Sequence, residues 1–224
     1  MVAYGPALRP EDAWAALDPS GPPHVVWLRG VRGGRCVVLL GAFDPPTRAH
    51  VAIARAAARA EGAPAVLCLT KQLLARPPGE LLAPVDRLRL LDAVAAREGF
   101  GLVVANRGTY LDVGRALRSS GTAASFVVGS DKLEQLADPS FYADGESGVA
   151  ATFSEFRFIV VPRPGHPAGR DDVRVMDARD VFEDDRFADI SSTEVRRRVR
   201  RGEPVDAFVP PEVALGLGGY TAAK

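Results

Sequence analysis

Short unbroken apolar runs alternate with longer stretches of helical period along most of this chain. The runs are CVVLL (36–40), AVLCL (65–69), GLVVA (101–105), SFVVG (125–129), RFIVV (157–161) and VRVM (173–176). Unbroken Val, Leu and Ile of this length suits strands buried on both faces, as in a parallel sheet. Between them, TRAHVAIARAAARA (47–60), APVDRLRLLDAVAARE (83–98) and YLDVGRALRSS (110–120) repeat apolar residues at helical spacing. In the second, Leu88, Leu91, Val94 and Ala95 share one face, and Gly99 supplies the stop. This alternation predicts an α/β fold with a doubly wound, mostly parallel sheet.

The remaining segments are read more coarsely. Residues 1–23 are rich in Pro, Gly and Ala, with one short helix expected at PEDAWAAL (10–17). They form an arm that is packed on the domain or loosely ordered. HVVWLRGVRGGRCVVLL predicts two strands, Val25 to Leu28 and Cys36 to Leu40, around a Gly-rich turn. Residues 137–156 read as an irregular insertion over the sheet. After Ile190, STEVRRRVRRG and PPEVALGLGG predict two short helices. The expected organisation is one domain over 1–224, with 1–35 as an N-terminal arm or extra strand and 190–224 as a C-terminal helical part.

Composition narrows the class. At 224 residues with 47% hydrophobic and 25% charged, the chain is an ordinary globule. Lys plus Arg and Asp plus Glu both number 28, so overall charge gives no reason to expect nucleic acid or a membrane surface as partner. Phosphate chemistry must come from local clusters. The segment MVAYGPALRPEDAW has no basic stretch followed by an apolar core, and no apolar run approaches the ~20 residues of a membrane span. A cytoplasmic location is expected. Cys36 and Cys68 sit inside apolar runs as small hydrophobes and argue for neither a disulfide framework nor a zinc site.

Two stretches carry candidate chemistry. In GAFDPPTRAH (41–50), Gly41 lets the backbone turn sharply after a strand, and Pro45 and Pro46 fix the approach to the next helix. Thr47 and His50 share a face of its first turn, where free amides and the positive dipole end favour an anion. The plainer alternative is that Asp44 or Thr47 only caps the helix and His50 is a satisfied surface residue. About 140 residues on, ISSTEVR (190–196) sets three hydroxyls, Ser191, Ser192 and Thr193, at a second helix start, with Ser192 or Thr193 as its cap. Arg196 there offers a planar donor fork suited to phosphate, whereas Arg197, Arg198 and Arg201 read as a solvated face.

Taken with DRLRLLDAV, VVGSDKLEQL, VVPRPGHP, the continuation RRGEPVDAFVPPEV and the terminal GGY, these stretches resemble the nucleotidyltransferase family with an (H/T)-x-G-H turn and a late ISSTxxR motif. The match is best to its nicotinate/nicotinamide mononucleotide adenylyltransferase branch and spans roughly residues 36 to 220. The resemblance implies a Rossmann-like nucleotidyltransferase fold and in-line attack of a mononucleotide phosphate on the α-phosphorus of ATP, releasing pyrophosphate. It implies Mg²⁺ carried with the ATP, since that ion keeps several waters and needs few protein ligands. ATP and a mononucleotide are the implied partners, and a homo-oligomer is compatible with the sequence.

The same resemblance assigns residues. His50 would donate to the α-phosphate, Thr47 would hold a phosphate oxygen, and the backbone of Gly41, Ala42 and Phe43 would line the nucleotide. Ser192, Thr193 and Arg196 would grip the β- and γ-phosphates and the departing pyrophosphate, with Ser191 also on the nucleotide. Gly129 and Asp131 match a G-x-D that contacts a nucleotide sugar; Asp131 as a plain helix cap is the alternative. Lys71, Thr109, Tyr110, Phe141, Tyr142 and Arg163 are the acceptor-side candidates. Lys71 and Arg163 read equally as surface cations, and Phe141 and Tyr142 equally as core packing. Ala49 replaces the motif glycine, where its methyl would crowd the adenosine. The same chemistry on another phosphorylated acceptor, such as pantetheine phosphate or a sugar phosphate, is the nearest alternative, and a noncatalytic nucleotide-binding protein is the next.

Overall fold

The computed structural model describes residues 8–30, 33–72, 80–163, 165–166, 170–182 and 190–221. Residues 1–7 of the expected arm, and 31–32 of the expected Gly-rich turn, lie outside the described residues. Seven strands form one sheet: β1 (Val25–Arg29), β2 (Gly34–Gly41), β3 (Ala65–Thr70), β4 (Gly101–Ala105), β5 (Thr122–Gly129), β6 (Arg157–Val161) and β7 (Arg174–Val175). Their order is β1-β4-β3-β2-β5-β6-β7. All neighbours are parallel except β1, which lies antiparallel on β4 at the edge. The apolar runs are the strands, as the sequence predicts, although VRVM yields only the two-residue β7.

The nine helices of the described residues are α1 (Pro10–Ala15), α2 (Arg48–Glu61), α3 (Pro84–Glu98), α4 (Tyr110–Ser119), α5 (Leu133–Leu136), α6 (Glu146–Glu155), α7 (Ala178–Val181), α8 (Ser192–Arg201) and α9 (Pro211–Thr221). They cover both sheet faces, and strand pleat decides which residue faces which layer. Val37, Leu39, Leu67 and Leu69 pack under α2, α3, α8 and α9. Cys36, Val38, Val66 and Cys68 face the α4–α6 side. Both cysteines are free and buried. No helix among the described residues is long and apolar enough to cross a membrane.

One expectation changes, and the place of β1 is added to another. Residues 137–156 are not irregular: a 3₁₀ turn at Pro139–Phe141 leads into α6. Packing builds that helix, because Gly148 lies so close to Tyr142 that an added Cβ would collide with it, and the Thr152 hydroxyl donates to the Gly148 carbonyl at 2.8 Å. The two strands expected on either side of the Gly-rich turn are both present, as β1 and β2, but they are not neighbours. Instead β1 crosses to the far edge and adds an antiparallel strand beyond β4.

Candidate active site

The parallel strands end on one side of the sheet, and the loops beyond those ends enclose a cleft of about 460 Å³. His50 and Arg196 both line it, with Gly41, Ala42, Phe43, Gly129, Asp131, Arg163, Ser191, Ser192 and Thr193. Leu39, Leu40, Ile53 and Val128 give it an apolar floor. The two distant stretches therefore meet.

They meet through direct bonds. The Ser192 hydroxyl donates to the Pro45 carbonyl at 2.9 Å, and Arg196 Nη1 donates to the Asp44 carbonyl at 3.0 Å. Arg196 is only 4% exposed and Nη2 donates to the Thr193 hydroxyl at 3.0 Å. Burial lowers its pKa from the ordinary value while nearby Asp44 opposes the shift; a guanidinium starting so high stays charged. Ser191, rather than Ser192 or Thr193, is the N-cap of α8, accepting from the Glu194 amide at 3.2 Å. Ser192 and Thr193 thus open the helix, where amides lack intrahelical acceptors. Arg197 and Arg198 bond Glu194 at 2.7 and 2.8 Å, outside the cleft, and Arg197 above all holds its carboxyl down to about 2.

The first helix start is more occupied than the sequence suggests. Thr47 is fully buried and is the N-cap of α2. Its amide donates to His50 Nδ1 at 3.0 Å, and its hydroxyl lies 2.8 Å from the same nitrogen. The His50 amide points back to that hydroxyl at 3.4 Å, and the Arg48 amide goes to the Phe208 carbonyl at 2.9 Å. Thr47 therefore stands behind His50, outside the cleft lining. Because Nδ1 accepts the Thr47 amide, the neutral ring carries its proton on Nε2. Burial, with the Arg163 charge second, pushes the imidazole down to about 3, so it is neutral.

Phe43 fixes the turn. Its φ is 46°, rare for a bulky residue, and its ring sits on Gly41, where a Cβ would approach ring carbons at 3.0 Å. The ring also meets His50 edge-on, 5.0 Å between centroids. Ala49 is 1% exposed and joins the core, so its methyl does not enter the cleft.

On the opposite wall, Gly129 ends β5 and Asp131 follows in a 3₁₀ turn. A Cβ at Gly129 would meet the Asp131 carboxylate, so a side chain there would push that carboxylate from its place. Arg163 Nε lies 3.9 Å from that carboxylate, and the Arg163 amide donates to the Ser130 hydroxyl at 2.8 Å. Tyr110 lines the cleft from a buried position, edge-on to Phe126 and Phe158, and burial raises its phenol.

The other acceptor-side candidates lie elsewhere. Lys71 Nζ donates to the Leu17 carbonyl and lies 5.2 Å over the Trp14 ring. Thr109 caps α4, accepting from the Asp112 amide at 3.0 Å. The Tyr142 hydroxyl donates to the Leu136 carbonyl at 2.9 Å, and neither it nor Phe141 lines the cleft.

Sequence reasoning passed over a buried charge cluster. Asp44 is fully buried, and its carboxylate accepts from the Leu81 and Leu82 amides, both at 2.9 Å. Arg87, 2% exposed, brings Nε within 3.6 Å of that carboxylate, and Arg196 Nη1 lies 4.0 Å away. The signal was an arginine one helical turn before Leu91, on the apolar stripe of α3.

The crossover sheet, with a cleft at its strand ends and a buried arginine in the first turns of a helix beside it, is that of an α/β protein that binds its ligand beyond the strand ends. A Cytidylyltransferase-like family model matches residues 38–198, and the chain belongs to that family. It is 34% identical over 195 residues to a protein named "Probable nicotinate-nucleotide adenylyltransferase" from Anaeromyxobacter dehalogenans, covering 81% of this chain and 92% of the relative. A Gloeobacter violaceus protein of the same name is 32% identical over 201 residues, with the same coverages. Among solved structures, Plasmodium falciparum nicotinic acid mononucleotide adenylyltransferase complexed with NaAD superposes with a TM-score of 0.62 at 14% identity, over 84% of this chain and 96% of that one. That likeness gives the fold, which is the Rossmann-like α/β nucleotidyltransferase fold.

Proposed function

We propose that this protein is an adenylyltransferase that joins ATP to nicotinate mononucleotide, forming the dinucleotide and releasing pyrophosphate in NAD biosynthesis. The observation that carries the reading is that His50 and Arg196, 146 positions apart in the sequence, line one cleft. The names of the relatives supply the acceptor.

Catalysis in this reading is positioning and charge stabilisation, without a covalent intermediate. The mononucleotide phosphate attacks the α-phosphorus in line; the bond to the bridging oxygen breaks, and pyrophosphate leaves with that electron pair. His50 donates from Nε2 to an α-phosphate oxygen. A neutral donor suits this role, because its proton is held while negative charge builds. Arg196 and the opening amides of α8 hold the β- and γ-phosphates. The Gly41–Phe43 backbone lines the nucleotide, and Asp131 accepts from a sugar hydroxyl. Thr47 keeps the His50 ring oriented.

Magnesium would enter on the triphosphate. The described residues contain no group of three His, Cys, Asp or Glu side chains placed to hold an ion, and the Asp44 carboxylate is turned toward the Leu81 and Leu82 amides. A phosphate-borne ion fits this donor set, and it would neutralise charge on the departing pyrophosphate.

The test is pyrophosphate release with ATP and Mg²⁺ across nicotinate mononucleotide, nicotinamide mononucleotide, pantetheine phosphate and sugar phosphates. The expected outcome is the largest kcat/KM with nicotinate mononucleotide. Turnover confined to another acceptor would replace the assignment.

A further inference from the structure

Residues 8–29 precede the stretch that the family model matches, 38–198, and the proposed function gives them no part. Apart from β1 on β4, α1 against α3, and the Glu11–Arg89 and Arg29–Asp92 ion pairs, they meet the loops after β3 and β4. Asn106, 2% exposed at the end of β4, donates through Nδ2 to the Asp18 and Pro22 carbonyls, both at 2.8 Å, and to Gly21 at 3.4 Å. Its Oδ1 accepts the His24 amide at 2.7 Å. Arg107 donates to the Gly21 and Ser20 carbonyls at 3.0 and 3.1 Å, Gln72 to Pro19 at 2.9 Å, and Lys71 to Leu17. Four polar side chains just beyond β3 and β4 thus end on carbonyls of Leu17–Pro22. The sequence explains the match: Pro19, Pro22 and Pro23 have no N–H, so this segment presents acceptors with few donors of its own.

The held loops reach the cleft. The Thr70 hydroxyl donates to the Gln72 carbonyl at 2.6 Å, and Gly108 lies so close to that carbonyl that a Cβ would collide with it. Thr70, Gly108 and Tyr110 are the cleft wall at the β3–β4 ends. Opposite it, Asp131 and Arg163 lie beyond β5 and β6, and the residues assigned to ATP, Ser192, Thr193 and Arg196, sit on α8, fastened to the turn after β2. If the proposed function holds, the β3–β4 wall is therefore the side left for the mononucleotide.

We propose that the N-terminal segment is the outer support of the acceptor wall, and that Asn106 is the positioning residue through which it sets affinity for the mononucleotide. The segment acts on one substrate only. Loosening it shifts the backbone at Gly108 and leaves the turn after β2 and the start of α8 in place.

Two variants test this by steady-state kinetics with ATP and nicotinate mononucleotide. Asn106→Ala removes the central amide, and the double variant Gln72→Ala/Arg107→Ala removes one exposed and one half-buried anchor outside the core. Each is expected to raise KM for nicotinate mononucleotide by about tenfold, the size of one or two lost hydrogen bonds, with KM for ATP within about twofold of the parent on the same scale. A purely structural role would lower the active fraction, and so kcat, with KM unmoved. Unchanged KM for the mononucleotide in the double variant, or equal rises for both substrates, overturns the inference while the function stands. A parent enzyme that releases no pyrophosphate with nicotinate mononucleotide removes the function and this inference together.

Discussion

Arg196 donates to the backbone carbonyl of Asp44 at 3.0 Å, across 152 positions of sequence. With the Ser192–Pro45 bond at 2.9 Å, this fastens the start of α8 to the turn after β2. The guanidinium is held at both terminal nitrogens, to Asp44 and to Thr193, so its position is set before a phosphate arrives.

That preorganisation makes Arg196 hard to replace. Lysine keeps the charge but presents one compact ammonium, unable to hold the Asp44 carbonyl, the Thr193 hydroxyl and a phosphate together. Arg196→Lys is expected to raise KM for ATP by about tenfold, and Arg196→Ala to lower kcat/KM for ATP by roughly 10²–10³. Kinetics with ATP varied at saturating mononucleotide measure both. Parent-like ATP kinetics in Arg196→Ala would remove this residue from the phosphate site.

His50 carries a pH prediction. Burial holds its imidazole at about 3 in the folded chain, against 6.5 when unperturbed. Between those values the unfolded chain binds a proton that the folded chain does not, so this residue's contribution to stability rises with pH across that window and is level above it. The profile of kcat is expected to show no limb near the ordinary imidazole value. His50→Gln should reduce the gain in urea-unfolding stability between about pH 5 and 7. His50→Ala should lower turnover by roughly 10²–10³ while costing about 1 kcal/mol through the helix cap. A parent-like turnover in His50→Ala would exclude the proposed role.

The sheet was legible in the sequence because it depends on short-range pattern, whereas the meeting of the two motifs was implied by the family resemblance. Val37 and Leu39 face one layer and Cys36 and Val38 the other, and an unbroken apolar run is what such a strand requires. His50 and Arg196 each sit in the first turns of a helix that the spacing reveals. Other features depend on distant neighbours. The partner of β1 is a strand beginning at Gly101, which no local turn chemistry reports. Residues 146–155 lack a clear apolar stripe and become helix through Tyr142 and Thr152 contacts. Lys71 looks like a phosphate-binding cation until the Leu17 carbonyl and the Trp14 ring occupy it. Arg87 was visible as a charge on an apolar stripe, but its meaning required Asp44.

Asp44 and Arg87 should behave as a unit. Asp44→Asn keeps the shape but turns an amide toward one of the Leu81 and Leu82 N–H groups, leaving a buried donor without an acceptor. A cost of about 1–3 kcal/mol is expected. Arg87→Met leaves Asp44 its two amides and Arg196, and the double variant should depart from additivity by about 1–2 kcal/mol in urea unfolding. Additive losses would show that the 3.6 Å approach of Arg87 to Asp44 contributes no coupling.

Thr47 separates two accounts of the first motif. A hydroxyl that touches phosphate predicts a raised KM for ATP on its removal, with stability near the parent. The geometry predicts otherwise, because the hydroxyl is buried, caps α2 and lies 2.8 Å from His50 Nδ1. Thr47→Val conserves volume, and losing the cap should cost about 1 kcal/mol. The ring would keep its amide bond but lose its second restraint, so kcat should fall by about three- to tenfold with KM for ATP near the parent value. Thr47→Ser restores the hydroxyl and should recover both stability and kcat. Thermal unfolding and initial rates on the three proteins decide the matter: a KM rise in Thr47→Val matching that of Arg196→Ala would put Thr47 on the phosphate, and a kcat loss rescued by serine puts it behind the imidazole.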